Sequence, residues 1–126
     1  MLRLFSLFGK SAAMNALDDA LRASGVHPLL VPEAVKITVV RLLKREATAA
    51  PQEARFAEAA TLLAYCILGR DPFVESNGAR AADRADERLE AAIAAGDSVD
   101  ARLILLALHA GLIAPDIADR IDVEDR

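Results

Sequence analysis

The chain has 126 residues, with 15 basic and 19 acidic side chains and a formal net charge of −4 when both histidines are neutral. That length makes one domain with a core of its own, and a single cysteine excludes a disulfide framework. A hydrophobic content of 54 % beside 27 % charge excludes disorder as the default state, and no uninterrupted apolar stretch approaches the ~18 residues of a membrane span.

Composition chooses the class of element. There are 27 Ala and 18 Leu against 8 Val and 7 Ile, so strong helix formers far outnumber β-branched apolar residues. The first ten residues put Leu4, Phe5 and Phe8 on one helical face and hold two of the four Phe. Their apolar run is too short for a secretory signal. Three placements fit this segment: tucked onto its own core, docked in a partner or second subunit as an amphipathic anchor, or laid in a membrane interface with Arg3 and Lys10 at the headgroups.

Residues 11–24 place Met14, Leu17 and Leu21 at helical spacing, and Gly25 followed by apolar Val26 predicts a left-handed cap, with Pro28 forbidding continuation. His27, between that stop and Pro28, reads as a loop or capping contact. A second helix opens at Pro32 and runs to about residue 46, with Val35, Val39, Leu42 and Leu43 as its stripe. A third starts at Pro51, carries Phe56, Ala59, Ala60, Leu63, Cys66 and Ile67, becomes apolar on nearly every side and ends at Gly69.

Residues 70–78 read as a loop of turn residues anchored by Phe73 and Val74. A fourth helix follows over 79–95, facing inward through Ala82, Ala85, Leu89, Ala92 and Ile93, and Gly96 closes it. Asp97 or Ser98 caps a fifth. From Leu103 to Ala114 only His109 is conventionally polar, so this helix is expected at the buried centre of the fold. Pro115 starts a short sixth helix with Ile117 and Ile121 inward, followed by a frayed acidic tail over 122–126.

The run from Leu89 through Gly96 and Asp97 to Leu106 resembles the helix–Gly–Asp–helix unit of an ankyrin repeat. The Thr-Pro-Leu-His opening is absent and no second copy follows at a period near 33, so the resemblance implies a local αα-hairpin rather than an array. Together these elements predict an all-α, single-domain irregular or orthogonal bundle of about five to six short helices spanning residues 1–126.

A search for chemistry returns little. Cys66 lies in the apolar half of its helix, far from a helix N-terminus, where its thiol should be inert. No Cys pair, His-x-x-x-His or Glu-x-x-His occurs, so neither a metal nor any other cofactor is expected. Asp83, Glu87 and Glu90, interleaved with Arg80, Arg84 and Arg88, read as a solvated charged surface. Charge is polarised: residues 1–45 carry net +4, 46–70 net −1 and 71–126 net −7. With no Trp and one Tyr, a basic excess of four makes no nucleic-acid platform.

Function is therefore read from an ample apolar supply without a catalytic set. The first reading is a small, soluble, cytoplasmic, non-enzymatic interaction domain that forms a homodimer or docks a protein partner, with Leu4, Phe5 and Phe8 as one apolar face. The alternative is a helical pocket for a small apolar ligand, with His109 as polar handle and Tyr65 and Cys66 nearby on another helix. The balance of Ala, Asp and Arg is compatible with a GC-rich bacterial genome.

Overall fold

A computed structural model of the protein describes residues 12–45 and 52–124. Among them are seven α-helices, one 3-10 turn and no strand, which makes the fold an all-α bundle. The helices are α1 (Ala12–Ala23), α2 (Glu33–Arg45), α3 (Gln52–Leu68), α4 (Arg70–Asn77), α5 (Ala79–Ala95), α6 (Val99–His109) and α7 (Pro115–Glu124), with the turn Pro28–Leu30 between α1 and α2.

The helix beyond the expected six is α4, which occupies the stretch read as a loop. Gly69, at φ +86°, breaks the axis without lengthening the connection. The chain then restarts at once with Asp71 and Pro72 in the first turn. An acidic side chain suits the positive end of a helix there, and a first-turn Pro lacks only an N–H that would have no intrahelical partner. Gly78 makes the same one-residue break before α5. The turn-forming residues of this stretch are thus helix-starting residues.

The centre of the bundle is α3, not α6. α3 packs against α1, α4, α5 and α6, and every residue from Ala59 to Cys66 except Thr61 is buried. α6 buries Ala101, Leu103, Ile104 and Ala107 but leaves Leu105 46 % exposed. It also ends sooner than expected, because Gly111 takes φ +72°. Leu112 N–H then donates to Ala107 C=O at 3.0 Å and Gly111 N–H to Leu108 C=O at 3.0 Å, a closed helix end that turns the chain toward α7. The same device ends α1, where Val26 N–H donates to Leu21 C=O at 2.9 Å with both side chains buried.

Polar ties hold the outer helices to this core. Lys36, only 4 % exposed, pairs its Nζ with Asp18 at 3.0 Å and joins α2 to α1. Asn77 Nδ2 donates to Ser24 C=O at 2.8 Å and fixes the end of α4 against the end of α1. Ala114 N–H donates to Cys66 C=O at 2.8 Å, seating the start of α7 on α3. The Asp116 carboxylate accepts from Arg70 N–H at 3.2 Å and so caps α4 from the far end of the sequence. α5 and α6 form the αα-hairpin implied by the Gly96–Asp97 junction, with Ser98 as N-cap accepting from Ala101 N–H at 3.0 Å.

Candidate functional site

Among the described residues, the two most exposed large apolar side chains share one turn. Between α1 and α2, burial alternates: Val26, Pro28 and Val31 are inside, whereas Leu29 and Leu30 are 84 % and 60 % exposed. Three hydrogen bonds fix the turn. The Leu29 N–H donates to His27 Nδ1 at 3.1 Å, Leu30 N–H to His27 C=O at 2.9 Å and Val31 N–H to Pro28 C=O at 3.1 Å. His27 is therefore the capping contact expected of it, and Nδ1 must carry its lone pair for the cap to form. Scattered exposed Leu residues are ordinary on any surface. Two in succession on a turn anchored from both sides form a preorganised apolar projection, with Ile37 of α2 also exposed.

A second apolar feature is a cleft of about 140 Å³ between α5, α6 and α7, lined by Ala92, Ile93, Ala101, Ile104, Leu105 and Ile121, with Gly96 at its edge. The small side chains of α5 and α6 let the hairpin close, and Ile121 of α7 covers one flank.

The residues expected to serve as a ligand pocket do not share this cleft. His109 is not the polar group of a buried helix: it is exposed, on the last turn of α6. Tyr65 and Cys66 are buried on α3, and none of the three lines the cleft. Burial pushes the Cys66 thiol up to about 12, so it is a packed apolar group rather than a nucleophile. Leu4, Phe5 and Phe8 lie outside the described residues.

Tyr65 instead belongs to a polar network. Its hydroxyl donates to Asp86 Oδ1 at 2.6 Å, and the Arg120 guanidinium of α7 reaches both Asp86 and Glu90 of α5. Arg70 Nη2 meets Asp83 Oδ1 at 2.8 Å on the same side. Burial, followed by the Asp86 carboxylate, raises the Tyr65 hydroxyl above its ordinary value, while Arg70 and Arg120 oppose the shift. A neutral phenol locked to a carboxylate is a structural tie among α3, α5 and α7. Part of the surface read as solvated charge is thus engaged between helices.

Sequence reasoning missed Lys36, Asp116 and Arg120. Lys36 left a signal, since it sits three, four and seven residues before Val39, Val40 and Leu43, on the apolar face. Arg120 and Asp116 left none, because their partners lie 30 or more residues away. Among the described residues, no helix is long and apolar enough to cross a membrane, and no group of three or more His, Cys, Asp or Glu is placed to hold a metal ion. Comparisons with known protein families, with curated proteins and with solved structures give no match to this chain.

Proposed function

We propose that this protein is a small, non-enzymatic, cytoplasmic interaction domain that self-associates as a homodimer through its Leu29–Leu30 turn. The observation that carries the reading is the exposure of both side chains, 84 % and 60 %, on a backbone held by its own hydrogen bonds. A fixed projection loses little conformational entropy when it is covered. The polarised charge, +4 over residues 1–45 and −7 over 71–126, favours a second copy by bringing unlike ends together. The lone free cysteine suits a reducing compartment.

Magnitudes set the character of the association. Fully covering a Leu side chain is worth about 1.5–3 kcal/mol, so the four leucines of two paired turns supply at most about 6–12 kcal/mol, against about 4–15 kcal/mol for lost translational and rotational freedom. The turn alone therefore holds a weak complex, and Ile37 and the unlike charges must add to it. Sedimentation equilibrium of the full chain over a wide concentration range tests this. The expected result is a concentration-dependent dimer, weakened by salt, that Leu29→Ser with Leu30→Ser converts to monomer without changing the far-UV circular dichroism. A wild-type chain that stays monomeric at every concentration refutes it.

A further inference from the structure

A cleft of about 230 Å³ opens where α2, α3, α5 and α6 converge. Its polar lining is Arg55 and Glu58 of α3, Arg88 of α5 and Asp100 of α6, and Leu43 and Leu103 supply apolar wall. Two of these charges are already committed. Arg88 Nε and Nη2 donate to the two Asp100 carboxylate oxygens at 3.1 and 2.9 Å, and Nη1 donates to Glu58 C=O at 2.8 Å. That pair is closed and neutral.

Arg55 differs. Its Nε is buried and has no hydrogen-bond partner, although a stranded donor of this kind costs about 1–3 kcal/mol. Arg55 also lines an adjoining depression with Leu43, Lys44 and Phe56. With Arg88 and Asp100 cancelled, Arg55 and Glu58 are the two charges left in the cleft, and they too sum to zero.

We propose that this cleft is a binding site for a carboxylate, taken by Arg55 with its side chain turned so that the buried Nε–H and the adjacent Nη–H face the cleft, and with the ligand's short apolar portion against Leu43 and Leu103. A planar fork matches a carboxylate with two parallel hydrogen bonds. Because the four charges of the cleft cancel, a monoanion leaves it with one negative charge, whereas a phosphate dianion would leave two beside Glu58 and Asp100. The carboxylate comes from a free short-chain acid or from an acidic side chain of a second copy, and the two sources separate experimentally.

The test follows the Arg Nε–Hε signals of the 15N-labelled full chain by NMR, with Arg55 assigned from the Arg55→Lys spectrum. Sodium butyrate is titrated at constant ionic strength against chloride, with acetate and inorganic phosphate as comparisons. The Arg55 signal should shift saturably with butyrate, less readily with acetate and not with chloride, together with the amides of Val99 and Leu103. Arg55→Lys should weaken butyrate binding about tenfold or more, the equivalent of ~1.4 kcal/mol, with no fall in the unfolding midpoint. If the Arg55 signal already moves with protein concentration and butyrate reverses that movement, the site stands and a second copy supplies the carboxylate. A response that is linear in salt and equal for chloride and butyrate overturns the proposal, as does tighter binding of phosphate than of butyrate.

Discussion

Replacing Tyr65 by Phe removes one oxygen from the network that ties α3 to α5 and α7. The ring is 1 % exposed and meets Phe73 edge-on at 5.3 Å and 89°, a contact that Phe preserves. What disappears is the 2.6 Å hydrogen bond to Asp86. Bonds to ionised acceptors contribute about 1.5–3 kcal/mol net. Asp86 keeps Arg120 and has 33 % of its side chain exposed to take up water, so the loss falls at the lower end, about 1.5 kcal/mol. Asp86→Ala costs more, about 2–3 kcal/mol, because it strands the Tyr65 hydroxyl in the core. The double variant should fall short of the summed losses by about 1.5 kcal/mol, the coupling of a contacting pair.

Acid adds an independent check on the same bond. Burial works to raise the Asp86 carboxyl, but the Tyr65 hydroxyl and the Arg120 guanidinium outweigh it and hold the group below its ordinary 3.8. The folded value lies below the unfolded one, so the stabilisation is present above pH 3.8 and disappears as pH falls through the folded value. Urea unfolding followed by far-UV circular dichroism, at neutral pH and along the acid arm, measures both effects. Wild type should lose stability more steeply in acid than Asp86→Ala does. An unchanged midpoint in Tyr65→Phe, strictly additive losses in the double variant, or superimposable acid arms would each refute the reasoning.

Two glycines at positive φ should respond unequally to alanine. At Gly69 an added Cβ meets Asp116 Oδ1 at 2.7 Å and Ala114 Cβ at 3.2 Å, whereas at Gly96 nothing lies within 4 Å. Thermal or urea unfolding should therefore show about 1 kcal/mol lost in Gly96→Ala, from backbone strain alone, and clearly more in Gly69→Ala; equal losses would contradict the packing around Gly69. Cys66 should resist iodoacetamide in the native protein at mildly alkaline pH and react readily in urea, since burial holds its thiol near 12; rapid native alkylation read by mass spectrometry would contradict that burial.

Local chemistry carried most of the helical layout. Gly25, Gly96 and Ser98 end or cap helices where their own conformational and hydrogen-bonding preferences place them, and the inward faces of α1, α3 and α5 follow the 3.6-residue period. The stretch 70–77 is ambiguous in sequence because Asp and Pro serve turns and first helical turns alike, and only packing of Phe73 into the core decides between them. The exposure of His109 is hidden from the sequence for a related reason. An apolar run states that a helix can be buried, but not which side faces the bundle nor where Gly111 stops it.

The candidate sites were the least legible part. Nothing in the sequence singles out Leu29 and Leu30, and their exposure belongs to a turn whose neighbours Val26, Pro28 and Val31 take the places in the core. The ties through Lys36, Arg88, Asp116 and Arg120, and the unpartnered Arg55 Nε, join residues distant in sequence or arise from helix convergence. The sequence by itself determined that this chain is helical and where most helices begin and end, because propensity, capping and periodicity act within one or two turns. Only the tertiary structure decided which helix is central, which leucines face outward and which charges meet, because burial and pairing depend on surfaces that exist once the helices have packed.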